Sequence, residues 1–381
     1  MWWHYYSFIT GLLFVVYAVL ICLYRYWFVQ QRPFILPNYH QPKTSFSVIV
    51  PARNEAANIG ALLNSLLQQE YPLHMWEVIV IDDFSTDETA SIVLQMSKQH
   101  PNIRLLQLSQ LIQTPLNAYK KKAIELAIAQ SNNEWIITTD ADCTMQPEWL
   151  LYYDAYIQKQ QPVLVAAPVI FSSSGSVLDT FQGIDFMTMQ GVTVAAVSAG
   201  VHSMCNGANL AYQKKAFEAV NGFKGIDTIA SGDDMLLMNK IKNQFPSQVG
   251  YLYAQKAIVQ TAPMDTWMGF LNQRIRWASK ADKYQDKSIF AVLFLMYLFN
   301  LLVFLMPFVA LFANQLWLIW LGVLALKTMV EASFALPMAR FFGVQLPFWC
   351  VFLQYPHISY MVLAGWLGKF GKYQWKGRQV T

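Results

Sequence analysis

The stretch VIVIDDFSTDET, residues 78–89, decides the fold: four apolar β-formers, Val78 to Ile81, run into the paired carboxylates Asp82 and Asp83. Ser85-Thr86-Asp87 then supplies the chemistry of a helix N-terminus. A short unbroken apolar run bounded by turn formers describes a strand buried on both faces, as in a parallel sheet covered by helices. The flanking sequence repeats this plan. Ser47–Val50 is a strand expected to end at Pro51, after which Ile59, Leu62, Leu63, Leu66 and Leu67 share one helix face. Ile103–Leu106 predicts a further strand, Ala118–Gln130 a helix, and Trp135–Thr139 a strand that again ends in acids, Asp140-Ala141-Asp142. The alternation predicts an α/β fold with a Rossmann-like, mostly parallel sheet. Ligands in such sheets bind beyond the carboxyl ends of the strands, where this chain places its carboxylates.

The chain has 381 residues, enough for two or three units, and only 13% of them are charged against about 25% in an ordinary soluble domain. With 55% hydrophobic and 15% aromatic residues, this excludes a disordered chain, a collagen-like fibre and a simple cytosolic enzyme. Residues 1–24 carry no Asp, Glu, Lys or Arg, and 288–368 carry only Lys327, Glu331 and Arg340. Phe8–Tyr24, extended by Trp2, Trp3, Tyr5 and Tyr6, predicts a membrane anchor, uncleaved because no Lys or Arg precedes Arg25. Arg25, Arg32 and Lys43 follow it and place the middle of the chain on the cytoplasmic side. Ile289–Ala313 and Leu316–Leu336 read as a helical hairpin across the bilayer. A third run, Leu346–Leu367, is broken by Gln354, Pro356 and His357; it either crosses or re-enters, and re-entrance keeps the basic tail inside.

The predicted organisation is therefore an anchor over 1–27, a catalytic domain over 43–262, an amphipathic interfacial segment over 263–287, a membrane region over 288–368 and a basic tail over 369–381. The net charge is +4, and Lys369, Lys372, Lys376 and Arg378 in the tail suit a membrane surface rather than nucleic acid. Lys327 and Glu331, four apart, are expected to form a salt bridge at the cytosolic interface. Cys22, Cys143, Cys205 and Cys350 are too scattered for a disulfide framework or a Cys-x-x-Cys metal site.

Three acidic or basic clusters carry the chemistry. Asp-x-Asp at 140–142 offers two carboxylates to a hard divalent cation, with a turn as the alternative. Asp87 reads as a turn or helix-cap residue. Gly232-Asp233-Asp234 precedes Met235–Met238 and is at least a helix start with acids favoured by the dipole. Gln273-Arg274-Ile275-Arg276-Trp277 is either an interfacial anchor or a binding element.

Together these pieces resemble the family 2 glycosyltransferases, membrane-bound inverting enzymes built on a GT-A nucleotide-sugar-binding domain. The matching stretches are PARNE (51–55), IDDFSTDET (81–89), TTDADC (138–143), CNGANLAY (205–212), SGDDMLL (231–237) and QRIRW (273–277), in the family's order. The Gly that usually follows the paired aspartates is Phe84 here. The resemblance implies that Asp83 contacts the uracil of a UDP-sugar and that Pro51, Arg53 and Glu55 line the nucleotide pocket. Lys122 matches the lysine of the family's Gly-Lys-Ala pattern. Asp140 and Asp142 match the pair that binds Mg²⁺ or Mn²⁺ on the diphosphate, Asp234 the catalytic base and Asp233 its acidic neighbour. Gln273, Arg276 and Trp277 match the Gln-x-x-Arg-Trp signature over the diphosphate and acceptor entrance; Asn206, Gly207 and Asn209 match the acceptor-side floor.

Membrane flanks and the amphipathic stretch Met264–Lys280 point to an acceptor held in lipid. The signature occurs both in polymer synthases, such as those of cellulose, chitin and hyaluronan, and in ceramide glucosyltransferases. Few membrane segments on a short chain favour a glycolipid product; the alternative is a processive β-glycan synthase acting with a partner subunit.

Overall fold

A computed structural model of the chain describes residues 2–112, 119–201, 204–229, 232–280 and 287–371, with the backbone alone of 373–375 and 378–380. Ala118, Ser231, Lys372 and Lys376 lie outside the described residues. The chain separates into two compact units: Arg32–Ser172 with Ser203–Ala262, and Met1–Gln31 with Ser173–His202 and Pro263–Thr381.

Among the described residues the first unit contains ten strands: β1 (Phe46–Ala52), β2 (Trp76–Asp82), β3 (Ile103–Gln107), β4 (Trp135–Thr138), β5 (Cys143–Met145), β6 (Leu164–Ala166), β7 (Val169–Phe171), β8 (Leu210–Gln213), β9 (Val249–Tyr251) and β10 (Val259–Thr261). Seven form one sheet in the order β3-β2-β1-β4-β8-β6-β9, parallel except for β8, which runs against both neighbours. A small second sheet, β5-β10-β7, stands beside it. The apolar residues Val48–Val50 and Val78–Ile81 are fully buried, as two covered faces require. The Ile59–Leu67 helix buries Ile59, Leu62, Leu63 and Leu66 of the face its spacing predicts, with Leu67 half-buried.

Pro51 lies within β1 rather than ending it. The β1–β4 ladder stops at Ile49 opposite Thr138, so at Pro51 only β2 is paired and no β4 residue stands opposite the missing N–H.

In the second unit three helices among the described residues are long and apolar enough to cross a membrane: Trp2–Gln30, Lys287–Ala310 and Gln315–Phe342. Apolar side chains such as Phe8, Leu12, Leu318 and Met329 stay exposed on them, the pattern of a lipid-facing surface. The third C-terminal run is divided into a 3-10 segment, Phe348–Leu353, and a helix, Gln354–Phe370. Lys327 is fully buried and its ammonium lies 2.6 Å from Glu331, whose carboxylate also accepts from Gln354 at 2.7 Å and from the Tyr17 hydroxyl. The expected pair thus forms, as a buried polar tie among three helices. The Val177–Ser198 helix, inside the stretch assigned by sequence to the catalytic domain, groups with this helical unit.

Candidate active site

Strand direction gathers the acids. β1, β2 and β4 run parallel, with Ala52 opposite Asp82 and Ile49 opposite Thr138, so their carboxyl ends share one edge of the sheet. β8 runs the other way, with Leu210 opposite Thr138, which brings the residues before it, 206–209, to that same edge.

At this edge the loops after β1 and β2 are tied together. The guanidinium of Arg53 donates to the carbonyls of Asp83 at 2.7 Å and Phe84 at 3.0 Å. The backbone N–H of Glu55 donates to Thr89 at 2.7 Å, and its carboxylate accepts from Asn58 at 2.9 Å. Asp87 accepts from the N–H groups of Thr89 and Ala56, both at 3.0 Å, and so holds the turn just before the helix, whose N-cap is Glu88. Asp83 is buried, with its own N–H bonded to the Ala52 carbonyl at 2.8 Å. Phe84 adopts φ 55, a left-handed conformation that glycine takes freely, which explains the family's preference there. Its ring meets Tyr119 edge-on at 5.8 Å.

The three consecutive lysines of the Tyr119–Ala129 helix have three different fates. Lys120 places its ammonium 2.8 Å from Asp140 and 3.4 Å from Asp233, bridging two of the predicted acidic clusters. Burial works against that ammonium, but Asp140 and Asp233 outweigh it and hold its pKa well above the ordinary lysine value. Lys121 is buried and donates to the carbonyls of Ile226, at 2.9 Å, and Ile229. Lys122, the residue selected by motif, pairs with Glu125 at 2.9 Å on the helix surface. The lysine paired with the acids is Lys120, since successive helical side chains point about 100° apart.

Burial first, and then the charges of Asp140 and Glu55, push the Asp142 carboxyl up to about 6; the Thr261 hydroxyl, donating at 3.0 Å, offsets this only in part. Crowded oxygen donors whose ionisation is disfavoured are relieved by an added cation. Among the described residues no three His, Cys, Asp or Glu gather to cage an ion. Two carboxylates suit Mg²⁺ or Mn²⁺ whose other positions are filled by substrate phosphates and water, so the donor set fits such an ion. Lys120 and Thr261 were not singled out by sequence. The lysine was hidden in a run of three, and β10 is 119 residues away from Asp142.

Asp233 and Asp234 open the Asp233–Gln244 helix, after Gly232 at φ 73. One Asp234 oxygen accepts from the Gly207 N–H at 2.9 Å and the other from Met235 N–H at 2.7 Å. A Cβ at Gly207 would sit 3.4 Å from that of Asp234, an ordinary van der Waals contact. Asn206 caps its own turn by accepting from Ala208 N–H at 2.9 Å. Asn209 is fully buried, accepts from Trp149 at 3.0 Å and Tyr153 at 2.8 Å, and donates to the carbonyls of Pro168 and Ala257, both at 2.8 Å. That uses all four of its hydrogen-bonding positions. Asn209 is a strut beneath the floor, not a surface offered to an acceptor.

Gln273, Arg276 and Trp277 belong to the helical unit, on the Trp267–Ala278 helix. Arg274, between them, is buried.

An open, mostly parallel sheet with acids at its carboxyl edge and a small companion sheet is the architecture the GT-A resemblance leads one to expect. Residues 47–220 match the model described as glycosyl transferase family 2, and residues 135–367, more than half the chain, match glycosyl transferase family group 2. The chain belongs to glycosyltransferase family 2. Over 261 residues it is 27% identical to the poly-beta-1,6-N-acetyl-D-glucosamine synthase of Staphylococcus epidermidis, covering 66% of this chain and 59% of that protein. The chain thus spans less than two thirds of that curated relative. A stretch of 115 residues is 30% identical to the beta-monoglucosyldiacylglycerol synthase of Nostoc sp., covering 30% of this chain and 24% of that one. The solved mannosyltransferase PcManGT of Pyrobaculum calidifontis, in complex with GDP-Man and Mn²⁺, shares the fold with a TM-score of 0.62 at 18% identity, over 95% of this chain and 97% of that chain.

Proposed function

We propose that the protein moves a sugar from a nucleotide-sugar, a UDP-sugar by family tendency, to a membrane lipid acceptor on the cytoplasmic side, with inversion at the anomeric carbon. The observation that carries this reading is the cluster of Asp140, Asp142, Lys120, Asp233 and Asp234 at the carboxyl edge of the sheet. In the reaction the bond between the anomeric carbon and the β-phosphate oxygen breaks, and negative charge grows on the leaving diphosphate. Asp140 and Asp142 are the residues to hold Mg²⁺ or Mn²⁺, which when bound neutralises that charge. Lys120 adds a fixed positive charge beside them. Asp234, oriented by the N–H groups of Gly207 and Met235, takes the proton of the attacking hydroxyl. Attack from the face opposite the diphosphate inverts the centre. Asp83, Pro51, Arg53 and Glu55 line the nucleotide side in this reading, with Asn206 and Gly207 toward the acceptor; Gln273, Arg276 and Trp277 take their diphosphate and acceptor roles from the signature match.

The three apolar helices and the likeness to a glucosyldiacylglycerol synthase support a lipid acceptor. The longer match to a poly-N-acetylglucosamine synthase favours a second reading, extension of a β-linked glycan with a partner subunit. Membranes carrying the protein, incubated with radiolabelled UDP- and GDP-sugars and Mn²⁺ or Mg²⁺, separate the two. Label partitioning into chloroform supports the lipid acceptor. Label in an aqueous, high-molecular-weight product cut by a glycanase supports the polymer, and no transfer from any donor refutes both.

A further inference from the structure

The helical unit buries a complete ion pair that the proposed chemistry does not use. Asp185, on the Val177–Ser198 helix, is 6% exposed, and Arg274, on the Trp267–Ala278 helix, 5%. Arg274 Nε donates to Asp185 Oδ2 at 2.8 Å, and Nη2 lies 2.7 Å from the same oxygen. The other carboxylate oxygen lies 3.3 Å from His357 Nε2 and accepts from the Tyr360 hydroxyl, both on the Gln354–Phe370 helix. Burial alone raises a carboxyl pKa; here Arg274, His357 and Tyr360 overcome it and hold Asp185 below its ordinary value. A buried pair of this kind is weak support for stability, because desolvating both charges offsets most of their attraction. Its use lies in what else the guanidinium holds.

Arg274 also touches two residues of the Gln-x-x-Arg-Trp signature, Gln273 and Trp277, and the ring of Phe270 outside it. Nη1 donates to the side-chain oxygen of Gln273 at 2.5 Å. The guanidinium carbon lies 4.3 Å from the centroid of the Trp277 ring and 4.6 Å from that of Phe270. Phe186, the residue after Asp185, meets the Trp277 ring at 5.8 Å. One planar, delocalised cation thus engages a carboxylate, an amide and two aromatic rings at once, which a lysine ammonium cannot do.

We propose that Arg274, anchored by Asp185, is a positioning residue that fixes the side chains of Gln273 and Trp277. The proposal rests on the transferase reading above and deepens it: a position the signature leaves variable orients two that it fixes. Misplacing a reacting or clamping group by about 1 Å can cost about a hundredfold in rate, so small rotations of these two side chains matter.

The test is a double-mutant cycle in kcat/KM on the full chain in detergent. Arg274→Lys keeps the charge and removes the fork and the stacking; it is expected to lower kcat/KM at least about tenfold, within the range such misplacement produces. In a Trp277→Phe or a Gln273→Ala background the same change is expected to cost about threefold or less, because its target is already altered. Tyr360→Phe, which removes one donor to Asp185 and leaves the ion pair, is the milder second variant for the case in which Arg274→Lys does not fold. It is expected to lower kcat/KM measurably and to couple to Trp277→Phe in the same way. Fold-changes that simply multiply in these cycles would overturn the positioning role while leaving the transferase reading intact. Absence of transfer by the unmodified chain would overturn both.

Discussion

Replacing Asp142 by asparagine is predicted to stabilise the metal-free protein while abolishing its response to a divalent ion. The carboxyl is pushed from 3.8 to about 6 by burial and by Asp140 and Glu55. At about 1.4 kcal/mol per pH unit, the ionised form costs the folded unit about 3 kcal/mol relative to the unfolded chain. Because the folded pKa lies above the unfolded one, this cost is absent below pH 3.8, grows as pH rises, and is fully present above about 6. Asparagine keeps the shape without the charge but weakens the bond from Thr261, which leaves a net gain of about 1–2 kcal/mol at pH 7.5. For a unit of this size that is a rise of about 2–8 °C in melting temperature. Thermal unfolding of the full chain in detergent reads it directly. In EDTA at pH 7.5 Asp142→Asn should melt above the parent, at pH 4.5 the gap should close, and Mn²⁺ should stabilise only the parent. An asparagine variant that melts at or below the parent in EDTA, or that gains as much from Mn²⁺, would refute the reasoning.

Lys120→Met should lower stability in EDTA by about 1–2 kcal/mol, since the pair is only partly buried, and should enlarge the stabilisation by Mn²⁺ because Asp140 loses its internal cation; an unchanged Mn²⁺ response would count against it. Lys122→Ala, which loses only an exposed pair with Glu125, should leave transfer within about twofold and stability within about 0.5 kcal/mol. Phe84→Val should cost about 1–3 kcal/mol in unfolding measurements, as a β-branched residue meets the φ of 55 without the Tyr119 contact, whereas Phe84→Gly exchanges strain for contact and should stay within about 1 kcal/mol. Asn209→Ala strands the Trp149 and Tyr153 donors in the core and should lower stability by about 3 kcal/mol or more, seen first as loss of soluble full-length protein.

Strands β1 to β4 were legible because runs such as Val48–Val50 and Val78–Ile81 are unbroken and apolar, as buried parallel strands require, whereas β6, β8 and β9 of the same sheet, three or four residues each, were not read from the sequence. Val78–Ile81 and Trp135–Thr138 announce both the strand and the acids at its end. The companion sheet was not legible: β5, β7 and β10 are three residues each, too short for any periodicity to register. The Val177–Ser198 helix hid for a different reason. It is covered on most of its surface and carries buried Asp185, Gln182 and Gln190 among apolar residues, so no polar face marks its period. Motif spacing picked out Asp140, Asp142 and Asp234, which the structure brings to one edge of the sheet, but it could not say which of three adjacent lysines turns inward, nor that Asn209 spends its hydrogen bonds on the core. Those are properties of side-chain direction, fixed only when Lys120 meets Asp140 and when Trp149 closes over Asn209.

In the proposed reaction Asp234 removes the acceptor proton and has no part in holding the donor. Asp234→Asn preserves the shape of the side chain and an oxygen able to accept from Gly207 N–H. Paired measurements on the purified chain decide the matter: calorimetric binding of the UDP-sugar with Mn²⁺, and transfer to the acceptor found in the partition assay. Donor binding is expected to stay within about threefold while transfer falls at least about a hundredfold, the scale of a positioned base. Near-parental transfer would contradict it.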